Sequence, residues 1–312
     1  DGIENLLRKL LELSKGERDS VGKAICRFVE STGGADELLW QFITQDTTPI
    51  NEIKRGREIK LHCQSHELLS KDYLEQKLKA SDKLFGLAIQ YLEQFGIKGK
   101  EGDHWFSILL NETSWGKRHS NTNTSSHDSI HAFLNAIESA MKERASNNDT
   151  CWRKSEPLIR HSGENGIRYL LCEAYRCNIQ ENIAGIEALL MDQELLRYSQ
   201  LEYELGLLTS EAYPYLSSDI QDKYQWLVMG LYEDLEEDHE WIDAKRFECL
   251  NWIPAPYRLK ELSDFFVKSE KQYGAIRPEP SIFSSGGFVS SPVSTEIMMQ
   301  LGCISLIRLF HH

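Results

Sequence analysis

A helical period that rarely lapses is the feature that most constrains how this chain can fold. Apolar residues recur three or four positions apart, a spacing that gathers them on one side of an α-helix but scatters them over both faces of a strand. Ile3, Leu6, Leu7, Leu10 and Leu11 make one stripe. Val21, Ala24, Ile25, Phe28 and Val29 make a second, and Leu38, Leu39, Phe42 and Ile43 a third. Thr32-Gly33-Gly34 reads as a helix stop between the last two. The joints are short, so these helices are expected to be antiparallel neighbours. "REIKLHC", Arg57 to Cys63, alternates briefly but is too short to carry a sheet. Two helices follow Ser70, the second with Leu84, Ala88, Tyr91, Leu92 and Phe95 on one side.

Two breaks organise the chain. The polar stretch "NETSWGKRHSNTNTSS" has no period and reads as a loop. A helix is expected beyond Ser126 to about Arg144, and "ASNNDT" then interrupts it. This places a boundary near residue 148, between an N-terminal helical subdomain, 1–148, and a C-terminal helical-repeat subdomain, 149–312. The second half reads as further helices. One covers about Gly166 to Cys177, and "QENIAGIEALLMDQELLRYSQLEYELGLL" reads as two short helices joined near Asp192. "DIQDKYQWLVMGLYEDL" and "HEWIDAKRFECLNW" supply two more. The prolines of "NWIPAPY" stop the pattern before a helix carrying Leu259, Leu262, Phe265 and Phe266. The expected fold is therefore all-α: antiparallel helix pairs stacked as an α-solenoid-like array. The Gly/Pro/Ser-rich stretch from Tyr273 to Glu296 keeps Ile276, Ile282, Phe283, Phe288 and Val289, so it is expected to be an ordered loop packed on the helices.

Charge narrows the functional classes. The net charge is −13, and Glu233 to Asp243 holds seven carboxylates without a Lys or Arg. Basic residues form no track of the kind phosphate backbones require, so nucleic acid is not an expected partner. No apolar run is long enough to span a bilayer. The seven cysteines are scattered and include no CxxC, as expected of reduced thiols in a cytoplasmic setting. The N-terminal stretch reads as a charged amphipathic helix rather than a leader. The first residue is not Met, and apolar "MMQLGCISLIRLFHH" ends without a capping signal, so the chain is expected to be a fragment of a larger protein.

The motifs that might carry chemistry are incomplete. "GERDSVGKA" superficially resembles a phosphate loop, but five residues separate Gly16 from Gly22 and Ala24 follows Lys23. It reads as a helix–helix turn with Asp19 or Ser20 as N-cap. Ser20 and Lys23 have SxxK spacing without a recognisable second base or oxyanion pocket. His62 and His66 have metal-ligand spacing on a helix, but a zinc site needs three or four ligands. His127, Asp128 and His131 are the better metal candidates, since an adjacent His-Asp pair is the core of the HD-type phosphohydrolase signature. On a helix the two histidines fall roughly 65° and 105° from the centre of the stripe Ile130, Phe133, Leu134, Ile137 and Met141. That is the flank of Glu138 and Lys142, read as the polar side. Ser125 and Asp128 there serve as a helix start. Among the seven tryptophans, Trp226, Trp241 and Trp252 are expected in the core. Trp105, Trp115 and Trp152 flank the breaks and, with Phe283 and Phe288, form the expected interaction surface.

Two stretches resemble known families. "LLMDQELLRYSQLEYELGLL" resembles a HEAT-type repeat, in which acidic and basic residues at the joint, here Asp192 and Arg197, bridge neighbouring repeats. "PAPYRLKELSDFF" and "GGFVSSPVSTEIMMQL" are similar to segments in the helical regions of large bacterial STAND or NACHT-type NTPases, including antiviral ones. In those proteins such regions lie outside the NTPase core and act as sensor or scaffold. The resemblance implies a non-catalytic scaffold that binds a protein partner or senses a ligand, with no cofactor. The enzyme alternative is a metal-dependent phosphohydrolase using His127, Asp128 and His131.

Overall fold

The computed structural model describes residues 2–13, 18–45, 47–50, 60–63, 71–99, 129–198, 201–234 and 239–274. The chain divides into two compact units, Asp1–Ser281 and Ile282–His312, and the described residues all belong to the first. They form fourteen α-helices, and the fold is all-α. In chain order these are α1 (Gly2–Leu13), α2 (Arg18–Thr32), α3 (Asp36–Gln45), α4 (Lys71–Ala80), α5 (Asp82–Gly99), α6 (Ser129–Asn147) and α7 (Thr150–Arg160). There follow α8 (Asn165–Arg176), α9 (Ile183–Leu190), α10 (Gln193–Tyr198), α11 (Glu202–Ala212), α12 (Ser218–Met229), α13 (His239–Leu250) and α14 (Ser263–Tyr273). One antiparallel ribbon joins β1 (Thr47–Ile50) to β2 (Lys60–Cys63), pairing Thr47 with Cys63 and Ile50 with Lys60. Lys60–Cys63, the described end of the alternating stretch, is thus extended and paired in a two-stranded ribbon.

The first three helices pack on one another, with Leu7, Leu11, Ile25, Val29, Leu38, Leu39 and Ile43 in their core. Gly33, at φ +62°, ends α2, its N–H donating to the Val29 carbonyl at 3.0 Å. The apolar stripe of α1 is wider than its cover. Leu7 and Leu11 are buried, whereas Ile3, Leu6, Leu10 and Leu13 are exposed. Arg18 opens α2, so Asp19 and Ser20 stand in its first turn rather than at its N-cap.

Five helices follow one another in space: α4 packs against α6, α6 against α8, α8 against α11, and α11 against α13. A second series, α3, α5, α7 and α9, does the same. α8 lies among α5, α6, α7 and α11 and buries Ile167, Tyr169, Leu170, Leu171, Cys172, Ala174 and Tyr175. A helix covered on several sides needs apolar residues over most of its circumference, and this one has them.

Polar side chains hold the joints. Asp149 caps α7 by accepting the Trp152 backbone N–H at 2.7 Å and also receives Arg144 at 2.9 Å. The other bonds of Arg144 close the α4–α5 corner: Asp82 at 2.8 Å, and the carbonyls of Leu78 and Lys79 at 3.1 Å each. Asp192 caps α10 through the Leu195 N–H at 3.0 Å and pairs with Arg168 of α8 at 3.2 Å. Arg197 pairs with Asp234 beyond α12. The acidic and basic residues of that joint thus each tie it to a different element. The stretch expected as two helices is three, α9, α10 and α11. Beyond α13, "NWIPAPYRLKEL" turns through two short 3₁₀ segments, fixed by Gln225, whose amide donates to the Tyr257 carbonyl and accepts from the Leu259 N–H, both at 2.9 Å.

Candidate interaction site

The series α4–α6–α8–α11 carries a chain of alternating charges across its helix junctions. Lys79 of α4 lies between Glu75, one turn before it at 2.7 Å, and Glu143 of α6 at 2.8 Å. Lys142 of α6 lies between Glu138 at 2.7 Å and Glu173 of α8 at 2.9 Å. Arg176 lies between Glu173 at 2.9 Å and Glu211 of α11 at 2.6 Å. Each helix brings a cation and a carboxylate three or four residues apart, and the next helix supplies the second carboxylate. Three cations are thus matched to five carboxylates, and the excess is negative.

The local fields follow that arrangement. Hydrogen bonds that it donates to the Glu143 and Glu75 carboxylates hold the Lys79 ammonium above its ordinary pKa. Burial works against the Glu173 carboxylate, but Lys142 and Arg176 outweigh it and lower its pKa. Glu204 of α11 lies close by, buried and with no ion pair among the described residues. Burial, with the fields of Glu173 and Glu202, pushes its carboxyl up to about 7.

Next to this chain of charges is a shallow cleft between α11, α12 and α13. It is lined by Leu196, Glu202, Leu205, Gly206, Tyr224, Glu248, Cys249 and Trp252, with an empty volume of about 320 Å³ that includes open solvent. Its enclosed part has room for little more than a water molecule. Gly206 is required here, because a Cβ would overlap the Trp252 indole that lies against it. The indole meets Tyr203 edge-on at 5.9 Å, and its buried N–H has no acceptor among the described residues. Lys245 pairs with Glu248 at 2.8 Å. Burial opposes the Lys245 ammonium, but the Glu248 and Glu202 carboxylates outweigh it and raise its pKa. Glu202 is exposed as a residue and has no ion pair among the described residues, yet its packed surroundings raise its carboxyl above the usual range. Burial pushes the Cys249 thiol up to about 12, far from a reactive thiolate at neutral pH.

The residues singled out from the sequence fall differently. Trp152, expected on an exposed surface, is 1% exposed. Capped by Asp149, α7 turns the ring inward, where it donates to Asn182 Oδ1 at 2.7 Å and meets Tyr175 edge-on. Trp226, expected in the core, is 52% exposed on α12. Trp241 and Trp252 are partly buried. Trp105, Trp115, Phe283 and Phe288 lie outside the described residues, as do His66, His127 and Asp128. His131 stands in the first turn of α6, which begins at Ser129. On the flank of α6 that holds Glu138 and Lys142, Glu138 is 4% exposed, because α8 and α4 pack along α6, and Lys142 is half-buried. Leu134, Ile137 and Met141 of the predicted stripe are buried. Among the described residues no group of three or more His, Cys, Asp and Glu side chains could hold a metal ion. No helix among them is long and apolar enough to cross a membrane.

The charge chain was not singled out from the sequence. Its intrahelical half was visible there as Glu75/Lys79 and Glu138/Lys142, each four apart. Its interhelical half depends on which helices are neighbours. Comparison with known proteins adds no family to this geometry: no family model, no curated protein and no solved structure matches the chain.

Proposed function

We propose that this chain is a non-catalytic helical scaffold that docks a basic segment of a partner protein along the face of α4, α6, α8, α11 and α13. The spatial succession of these helices supports the α-solenoid-like reading, since such arrays present long surfaces and need no enclosed pocket. The observation that carries the proposal is the saturation of Lys79, Lys142 and Arg176, each by two carboxylates. A face built this way offers surplus acceptors to a cationic partner and repels phosphate. Individual pairs at such exposure contribute little stability, so their value lies in the field and geometry they present. Ligand sensing and a role in anti-phage defence rest on the sequence resemblance alone.

The test is titration of the full chain with a synthetic Arg/Lys-rich peptide and, in parallel, with a short DNA duplex across a salt series. The peptide should bind, weakening as salt rises, and the duplex should not. Glu143→Gln combined with Glu211→Gln should weaken peptide binding by about 3- to 10-fold. Asp219→Asn combined with Asp264→Asn, the same charge change elsewhere, should alter it less than 2-fold. Equal losses in the two double variants, or tighter binding of the duplex, would remove the basis for this function.

A further inference from the structure

α1 carries two apolar rows, and its own fold buries one of them. Leu7 and Leu11 face α2 and α3 and are buried. Ile3, Leu6, Leu10 and Leu13 lie about 100° round the helix from that row and are between 41% and 78% exposed. Rolling α1 to hide them would break the contacts that fix its rotation. Arg8 donates to Gln41 of α3 at 2.9 Å and pairs with Glu4 at 2.6 Å. Single exposed apolar side chains are ordinary, but a contiguous row is the mark of a contact surface. The intervals along the row are three, four and three residues, the spacing of a helix–helix seam. They also read the same in both directions.

We infer that this row is a two-fold interface, in which a second copy of the chain packs its α1 antiparallel against the first. The palindromic spacing singles out a second copy. With the axis between Leu6 and Leu10, each Leu6 lies opposite Leu10 of the other copy, and each Ile3 opposite its Leu13. Every side chain of the row then meets an apolar counterpart, and the contact closes on itself. Charge favours the same place. Residues 1–30 hold six acidic and six basic side chains, whereas the whole chain has a net charge of −13. Two copies repel each other least at this neutral end. The area fits a reversible dimer. The row exposes roughly 450 Å² per copy, and with the exposed rim residues Asn5 and Lys9 two copies bury about 1,000 Å², the lower end of specific interfaces. Lys9 flanks the row and meets its counterpart across the axis, so screening by salt tightens the association. None of the carboxylates of the proposed docking face takes part.

Sedimentation velocity of the full chain, diluted from about 200 to about 2 µM, tests this. The mass should fall from dimer towards monomer on dilution, and the dimer should strengthen as salt rises. Leu6→Gln combined with Leu10→Gln should weaken association at least 10-fold without lowering the thermal unfolding midpoint of the dilute protein. If that pair does not fold, Leu13→Gln, at the most exposed position of the row, repeats the test with one change. Leu158→Gln combined with Val267→Gln, exposed apolar residues elsewhere, should leave association within 2-fold. Leu6→Glu and Leu10→Lys chains, each weak alone, should associate more tightly when mixed, because antiparallel packing opposes the two positions. A mixture no tighter than either variant overturns the antiparallel pairing. A monomer at every concentration, or a dimer indifferent to the changes in α1, overturns the interface. So does a monomer that Leu6→Gln/Leu10→Gln destabilises, since the chain would then cover the row with its own residues.

Discussion

At the scale of single residues, position on a helix mattered more than residue type. Trp152 and Trp226 are both tryptophans at helical spacing, yet one is sealed against Asn182 and Tyr175 and the other faces solvent. Nothing in the few residues around each decides this, because burial depends on which helix lies opposite. Glu204 makes the same point with consequences for stability. A sequence reader would place a glutamate in the first turn of α11 on the surface, where it favours the helix dipole. Instead α8 covers it, and its carboxyl rises to about 7 from the ordinary 4.5. The folded pKa is the higher one, so folding favours the protonated form. The stability associated with it is complete below about pH 4.5, falls as pH rises towards 7, and is lost above that. The full difference is on the order of 3 kcal/mol. Glu204→Gln should remove most of that pH dependence and stabilise the chain at pH 8 relative to wild type. Urea unfolding at pH 5 and pH 8 measures it, and an unchanged pH dependence would mean that Glu204 is solvated.

At the scale of elements, the helices themselves were legible and their closures were not. The described stripe residues of α3, α5 and α6, among them Leu38, Leu39, Phe42, Ile43, Leu84, Ala88, Leu92, Leu134, Ile137 and Met141, are buried, because a 3.6-residue period admits one efficient burial geometry. Arg144 shows what the stripes conceal. In the sequence it is a basic residue in a last turn. In the structure it is 3% exposed and joins α6 to the end of α4, the start of α5 and the cap of α7. Its guanidinium also lies 4.8 Å from the Phe85 ring centre. Only a planar, multiply donating cation meets two carboxylates and two carbonyls at once. Arg144→Lys should therefore cost about 2–4 kcal/mol, since the carbonyls and Asp149 lose their donors in a buried corner. Chemical denaturation reads this directly. A loss under about 0.5 kcal/mol would show that the corner is held by apolar packing alone.

At the scale of the whole molecule, the break at "ASNNDT" is a turn between two packed helices. α6 packs on α8 across it, and Asn178 and Asn182 donate to the carbonyls of Ser146 and Ala145 at 2.7 and 3.3 Å. A polar turn and a domain linker have the same composition, so the sequence could not tell them apart. The chain cut after Asn148 should consequently stay associated, because separation would expose Leu134, Ile137 and Met141 together with their partners on α8. Co-expression of 1–148 and 149–312 followed by size-exclusion chromatography tests this. Two independently eluting, folded fragments would show that 1–148 and 149–312 are separate subdomains.

The sequence by itself determined that this chain is helical, where most of its helices lie, and that its surface is acidic. Those properties are local or additive: a period, a turn residue, a sum of charges. Tertiary structure alone decided that Trp152 is core, that Glu204 and Glu138 are covered, and that Lys79, Lys142 and Arg176 each find a second carboxylate on a neighbouring helix. It also decided that Gly206 and Trp252 meet to form one wall of a cleft. Each of these depends on the pairing and rotation of helices distant in sequence, and many pairings bury the same stripes almost equally well. The charges and close contacts that distinguish them exist only once one pairing has been chosen.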